Sequence, residues 1–213
     1  MLLRVRVSVL DRPGALLSMA KVIADLGGNI VDIEVLASAD GRVVDDLIVD
    51  LPGGDSDQLT RNLAATGAEV LNLRKTVQIT GQRADLDLLA RVAANPIDAM
   101  ATVVAIAPSI WCADWAALAT PGDGSVPLHA TPGVPRPLPS GMPDPIGPLP
   151  RRGTAHSDSG ATYEVISLKW GNHHLYLGRL DGPIFLQVEL VHLRRVVELA
   201  ATLSSGLTAM VTS

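Results

Sequence analysis

Four short stretches of this 213-residue chain contain side chains that could bind a ligand or take part in catalysis. The first is a loop, Asp11-Arg12-Pro13-Gly14, between an alternating apolar segment and a segment with helical periodicity. The others are Cys112, the run His156-Ser157-Asp158 and the pair His173-His174. In order, they correspond to a small-ligand loop, a thiol nucleophile, the residue types of a catalytic triad, and imidazole metal ligands.

The last three groups are better explained without catalysis. Cys112 lies in an apolar stretch, and buried thiols are usually inert. Consecutive side chains diverge, so His156-Ser157-Asp158 cannot form the relay of a triad, and a polar loop is the better interpretation. The neighbours His173-His174 point to opposite faces of any strand, which leaves a metal site as the less favoured alternative. No acid, base and nucleophile cluster together, so we expect no enzyme activity, no cofactor and no bound metal.

The composition argues against several classes of partner. A net charge of -5 and an aromatic content of 3% do not fit a nucleic-acid surface, which needs basic side chains and stacking rings. No apolar run reaches the length of a membrane span, and the first residues alternate charged with apolar side chains, unlike a signal peptide. The single cysteine forms no internal disulfide, so we expect a cytoplasmic protein. Arginine in excess of lysine, with abundant alanine, favours a bacterial source.

Apolar periodicity divides residues 2–80 into six elements, because alternation predicts strands and helical spacing predicts helices. The predicted order is a strand at 2–10, a helix at 16–26, strands at 31–37 and 43–51, a short helix around Leu59 and Leu63, and a strand at 70–79. This βαββαβ order is the ferredoxin-like arrangement, an α+β fold with both helices on one face of an antiparallel sheet. Its first and third strands are neighbours.

Turn and capping residues separate these elements. Pro13 suits the first helical position, Gly27-Gly28 ends that helix, and Asp40-Gly41 predicts a hairpin turn. Asp55 or Ser56 is expected to cap the second helix. The outer faces of the first and third strands carry side chains that we expect to form exposed pairs of opposite charge: Arg4, Arg6, Asp46 and Asp50.

A second unit is expected at residues 85–205, after a link at Thr80-Gly81-Gln82. Ten of the 15 prolines fall between 121 and 150, so this segment is predicted to be a long, partly disordered loop. Asn95 is expected to cap a helix that has Pro96 at its first position, and Gly182-Pro183 to open the last helix. The other predicted features are a helix at 85–94, strands at 113–119, 126–129, 163–168 and 174–180, and turns at 121–124 and 170–172.

The first unit resembles the ACT domain, a small regulatory module that binds amino acids. The resemblance covers residues 2–80 and rests on the loop at 11–14, the sequence Gly27-Gly28-Asn29-Ile30 and the acidic second strand. It implies that two domains join their sheets at the second strand, with a ligand between the first loop of one subunit and the second strand of the other. The ligand-binding residues that it implies are Asp11, Arg12, Pro13, Gly14, Ala15, Leu16, Asn29 and Ile30. The alternative is that Asp11 only caps the helix and Arg12 is solvated.

The second unit resembles a shortened GAF domain, another ligand-sensing fold, here an α+β unit with an antiparallel sheet. The matching parts are residues 113–118, the Asp123-Gly124 turn, and Gly182-Pro183-Ile184-Phe185 before the long final helix. Together the resemblances imply a homodimeric regulator that binds an amino acid through its ACT domains, while the second unit receives the signal or binds a protein partner. The alternative is a dimerisation module that regulates a partner enzyme in trans without a ligand of its own.

Overall fold

The computed structural model describes residues 1–76, 84–121 and 126–211. The chain divides into two units, Met1–Gln78 and Ile79–Ser213. The link predicted at residues 80–82, and most of the turn predicted at 121–124, lie outside the described residues. None of the helices in the three described segments combines the length and the hydropathy that crossing a membrane requires.

The first unit has the predicted βαββαβ order. Its elements are β1 (Leu2–Leu10), α1 (Ala15–Asp25), β2 (Asn29–Ala39), β3 (Arg42–Asp50), α2 (Ser56–Ala65) and β4 (Glu69–Lys75). The strands form one antiparallel sheet in the order β2-β3-β1-β4, so the predicted neighbours β1 and β3 do pair. The ferredoxin-like α+β prediction for this unit is confirmed.

The core of the first unit lies between one sheet face and the two helices. Alternate residues of β1 and β3 supply the sheet side, and α1 and α2 supply the helix side. The buried apolar side chains include Leu3, Val5, Val7, Leu47, Val49, Met19, Ile23, Leu59 and Leu63. Burying a side chain of this size contributes about 1.5–3 kcal/mol, so periodic burial of this face holds the unit together.

Most of the predicted turn chemistry of this unit is confirmed. Asp40 and Gly41 have φ angles of 53° and 70°, the pair of positive values that a tight hairpin requires. Gly27, with φ 73°, follows the end of α1. The Asp55 carboxylate caps α2 by accepting a hydrogen bond from the backbone N–H of Gln58 at 2.8 Å.

The start of α1 differs from the prediction. The helix begins at Ala15, and Pro13 lies in the turn before it. Gly14 is the residue that precedes the helix, and its φ of 87° is left-handed backbone that a residue with a Cβ rarely adopts. The glycine therefore sets where the helix begins, and the proline does not.

The outer face of the same sheet also differs, because its charged pairs are not all exposed. Arg6 and Asp46 are each 3% exposed. They lie opposite one another on the two central strands, where Asn72 of β4 and Glu34 of β2 flank them across the sheet. The prediction of an exposed pair is wrong there, because Arg6 and Asp46 are both buried. Asp50 contacts the N-terminal amine of Met1 at 3.1 Å.

The second unit is a separate α+β unit with an antiparallel sheet. Its elements are α3 (Ala84–Ala94), α4 (Ala99–Ile110), β5 (Trp115–Ala119), β6 (His129–Ala130), β7 (Arg151–His156), β8 (Thr162–Trp170), β9 (His173–Leu180) and α5 (Gln187–Val211). The sheet order is β6-β5-β9-β8-β7. The predicted hairpin at residues 170–172 joins β8 to β9.

Both faces of this second sheet are covered. One face packs against α3, α4 and α5 around a cluster that includes Trp111, Leu118, Ile166 and Leu193. On the other face, the proline-rich segment packs against the sheet. Its partly buried Val134, Leu138 and Met142 contact a cluster that contains Trp115, Ala117, Ala155, Tyr163 and Val165. The described residues 126–150 thus cover this face of the sheet, and the partial disorder expected within 121–150 stays a prediction.

Three element boundaries of the second unit were mispredicted. A 3-10 turn, Pro96–Asp98, precedes α4. Asn95 and Pro96 take the predicted N-cap and first positions of this turn, but the Asn95 side chain makes no capping hydrogen bond, and its amide donates to the Asp98 carboxylate at 2.6 Å. The last helix begins at Gln187, after the segment that follows Gly182-Pro183. The edge strand β7 was missed, and it contains His156, which had been expected in a loop.

Candidate functional site

The predicted ligand loop joins β1 to the open N-terminus of α1. The Asp11 N–H donates to the Gly41 carbonyl at 2.8 Å, and the Ala15 N–H donates to the Arg12 carbonyl at 3.2 Å. The N-cap residue of α1 is Gly14, which has no side chain. The alternative that Asp11 only caps the helix stays a prediction. The positive end of the helix dipole faces out beside the exposed side chains of Asp11 and Arg12.

A cleft lies beside this loop, between α1 and the connection from α2 to β4. Both polar and apolar residues line it: Val9, Leu10, Arg12, Ala15, Ser18, Thr66, Gly67 and Ala68. The cleft is open to solvent, whereas small-ligand sites usually bury most of the ligand surface. One chain thus supplies part of a wall for a small ligand.

Asn29 and Ile30, the other two predicted ligand residues, lie at the far end of the sheet. Asn29 pairs with Asp50, which pairs with Leu2, whereas Leu10 beside the loop pairs with Arg42. The two ends of β1 are about 26 Å apart, at roughly 3.3 Å per residue. The eight predicted site residues therefore form two groups that a single chain does not bring together.

Large apolar side chains are exposed on α1 and on the edge strand β2. On α1, Leu16 is 44% exposed and Leu17 is 73% exposed. On the edge strand β2, Ile33 is 39% exposed and Val35 is 67% exposed. These four side chains form what we call the β2-side apolar edge. Exposed apolar surface at a sheet edge is typical of an interaction site.

The acid Asp45 lies next to this edge, and the sequence reasoning missed it. It pairs with Val7 on one side and Val35 on the other, so it shares the helix-facing side of the sheet with the core. Asp45 is 6% exposed, and its Oδ1 has no hydrogen-bond donor in the described part of the chain. Burial raises the pKa of the carboxyl, and the nearby charges of Asp46 and Asp11 raise it further.

A signal for Asp45 does exist in the sequence. The helix-facing positions of β3 read Val43, Asp45, Leu47 and Val49, so one acid interrupts an otherwise apolar alternation. A charged residue at such a position needs a partner or an altered pKa. The interruption marks Asp45 as a group that the fold alone does not explain.

Its neighbour Asp46 has the opposite environment. On the outer face, the Asp46 carboxylate accepts from Arg6 Nε at 2.7 Å and from an Arg4 terminal nitrogen at 2.9 Å. Although burial opposes ionisation, the hydrogen bonds and charges of the two arginines lower the pKa of Asp46. The arginines of β1 therefore compensate Asp46, and Asp45 lies on the opposite face of the sheet.

The cysteine and histidines singled out in the second unit lie in structural surroundings. The Cys112 backbone has φ 49°, and its carbonyl accepts from Arg179 Nε at 3.1 Å. His174 is buried, with Nδ1 at 3.2 Å from the Tyr176 hydroxyl and 3.6 Å from an Asp144 oxygen. Burial lowers the pKa of His174. His156 lies at the end of β7, and no three potential metal ligands cluster among residues 1–76, 84–121 and 126–211.

Comparison with known proteins supports the class of module that this fold and loop define, a regulatory α+β unit that binds small ligands. Residues 3–65 match the model of the ACT domain, and the N-terminal unit is accordingly an ACT domain. A crystal structure of an unknown protein from Galdieria sulphuraria is similar to 97% of this chain and 93% of its own, with 10% identity and a TM-score of 0.33. No curated protein matches the chain. The GAF resemblance of the second unit stays a prediction.

Proposed function

We propose that the protein is a non-catalytic regulator that binds an amino acid between the ACT domains of two identical chains. One observation carries the proposal: the loop at 11–16 and the pair Asn29-Ile30 lie at opposite ends of one sheet. A two-fold axis beside β2 reverses one sheet relative to the other. The loop of one copy then approaches the start of β2 in the second copy, so the two groups of predicted ligand residues meet across the axis.

The exposed surfaces of the unit fit this arrangement. β2 is an edge strand, so its backbone can pair with a second β2 across a two-fold axis. The β2-side apolar edge adds the apolar contact that a stable interface requires, because Val35 and Leu17 are among its most exposed members. Pairing of this kind would bury both features at once.

The chemistry of the loop fits an amino acid. The N-terminus of α1, where Gly14 is the N-cap residue, offers backbone N–H groups and a positive dipole to a carboxylate. Arg12 lines the adjacent cleft and adds a full positive charge on the same side. Asn29 supplies a side-chain amide that can both donate and accept.

The second unit is proposed to pass the signal on to a protein partner. Its sheet carries helices on one face and the proline-rich segment on the other. Trp115 and Tyr163 fill the space under that segment, with their rings 5.8 Å apart in an edge-to-face contact. A face packed with the chain's own aromatic rings favours a role in protein contact over a second ligand pocket.

Ligand binding and the shared site are tested in two steps on the full chain. A thermal-shift screen of the twenty amino acids should reveal one or a few that raise Tm, because a ligand that binds only the folded state stabilises it. Calorimetry then compares Asp11→Ala and Asn29→Ala chains, alone and mixed. Each variant alone should bind weakly, since every site in its dimer carries one defect.

Mixing the two variants gives the decisive result. A mixed dimer holds one site with both defects and one intact site, so the mixture should recover binding with wild-type affinity at a reduced number of sites. Recovery fails if both residues act within one chain. A dimer that forms normally and binds none of the twenty amino acids would instead favour the module that regulates a partner without a ligand.

A further inference from the structure

The face of the second sheet that lies under the proline-rich segment carries several aromatic rings. Both tyrosines of the chain and one of its three tryptophans belong to it: Trp115, Tyr163 and Tyr176. The Trp115 indole lies directly against the backbone of Gly178, where an added Cβ would overlap its ring. An aromatic surface of this kind is what proline-rich peptides bind in many recognition domains.

The segment that covers this face has the matching composition. Ten of the 15 prolines lie between residues 121 and 150, and two of them, Pro139 and Pro145, are buried. Three apolar side chains of the segment pack against the aromatic cluster: Val134, Leu138 and Met142. Proline has no N–H, so a proline-rich chain presents carbonyl acceptors that its own backbone leaves unpaired. The molecule thus already contains one contact between this face and a proline-rich chain, formed within itself.

This intramolecular contact leaves a hydrogen-bond donor unused. Trp115 is fully buried, and its Nε1 has no acceptor among the described residues. A buried N–H without an acceptor costs free energy. Asp144, the one acid within residues 126–150, lies 3.6 Å from Nδ1 of the buried His174, yet its own side chain is 83% exposed. The segment therefore covers the face without satisfying it, and a chain with a carbonyl beside Trp115 would gain a hydrogen bond that the segment lacks.

We propose that this aromatic face is a recognition surface for a proline-rich peptide of a partner protein, and that residues 126–150 occupy it in cis until such a peptide replaces them. The inference rests on the proposed role of the second unit in protein contact and adds the chemistry of the partner. A tethered segment competes at an effective concentration on the order of millimolar, so a peptide binds only the fraction of molecules whose face is uncovered. Weakening the packing of the segment therefore tightens peptide binding, which a permanently packed cover would not allow.

The probe is a labelled synthetic peptide with the sequence of residues 131–146, which includes the three apolar anchors and Asp144. Fluorescence anisotropy measures its affinity for three full chains: wild type, Leu138→Ser and Leu149→Ser. Leu138 packs against the aromatic cluster, whereas Leu149 of the same segment is 56% exposed, so the second variant is the matched control. Leu138→Ser should bind the peptide about tenfold more tightly than wild type, and Leu149→Ser should bind it as wild type does. Where Leu138→Ser does not fold, Val134→Ala supplies the weakened cover.

A second readout follows the indole donor itself. The Nε1–H signal of Trp115 in a proton–nitrogen correlation spectrum, assigned through Trp115→Phe, should shift downfield on peptide binding because the donor gains an acceptor. Equal affinity of the three chains, no binding to the chain with the weakened cover, or an unmoved indole signal overturns the inference. A peptide that lowers the oligomeric state on a sizing column would show that the face holds the segment of a second copy, which overturns a separate partner.

These outcomes are independent of the amino-acid screen. Failure of the peptide to bind leaves the proposed site between the ACT domains standing. A chain that binds the peptide and none of the twenty amino acids overturns the proposed ligand and leaves the aromatic face as a peptide-binding surface.

Discussion

Replacing Arg179 with methionine should destabilise the second unit by about 3–5 kcal/mol, the cost typical of removing one partner from a buried ion pair. Arg179 is 1% exposed, and one of its terminal nitrogens lies 2.6 Å from a carboxylate oxygen of Glu189, which is 6% exposed. The same guanidinium donates to the carbonyls of Trp111 at 2.6 Å and Cys112 at 3.1 Å. It also lies 3.7 Å from the centre of the Phe185 ring. Methionine replaces the aliphatic stem but removes the positive charge beside the Glu189 carboxylate and the guanidinium hydrogen bonds to both carbonyls.

Tryptophan fluorescence during guanidinium unfolding measures this loss, because all three tryptophans lie in the second unit. For a unit of this size the loss corresponds to a Tm decrease of roughly 10–18 °C. The matched control is Arg194→Met, which breaks the partly exposed pair with Glu198 at 2.7 Å and should cost about 0.3–0.5 kcal/mol. If Arg179→Met loses less than about 1 kcal/mol of unfolding free energy, similar to the control, then Arg179 and Glu189 do not form a buried ion pair that the fold depends on.

Two further predictions concern the sheet of the second unit. Gly178→Ala should destabilise it by about 1–3 kcal/mol and alter tryptophan emission, because the added Cβ would overlap the indole ring of Trp115; unchanged emission and stability would contradict this packing. His174→Gln should remove an acid-dependent loss of stability. Burial lowers the pKa of His174 in the folded state, so its contribution is present above the unfolded value of 6.5 and is lost as the pH falls through the folded pKa. The free energy of unfolding of variant and wild type is measured between pH 7 and 5. Parallel curves would contradict the acid-dependent contribution of His174.

The first unit was predictable because local and tertiary preferences agree there. The alternation of Leu3, Val5 and Val7 marks the buried face of β1, and Asp40-Gly41 has the backbone freedom that the hairpin uses. These signals act over a few residues and need no knowledge of distant partners. The match of residues 3–65 to the ACT domain confirms this part of the reading.

The features that escaped prediction depend on distant partners. β7 contains two arginines, a glycine and a terminal histidine, so its strand character comes from pairing with β8 and not from its own residues. The proline-rich segment has no periodicity, yet Val134, Leu138 and Met142 are spaced so that they reach the apolar face beneath them.

The adjacent acids Asp45 and Asp46 show why the candidate site was only half visible in the sequence. Two consecutive strand residues face opposite sides of a sheet, so identical side chains meet unrelated surroundings. Asp46 meets two arginines, which lower its pKa and make it part of the fold. Asp45 meets an apolar face and a second acid, which raise its pKa and leave Oδ1 without a donor. The fold accounts for Asp46, whereas Asp45 costs stability that the fold does not recover. The sequence shows two identical acids, and only the pairing of β3 with its neighbouring strands distinguishes them.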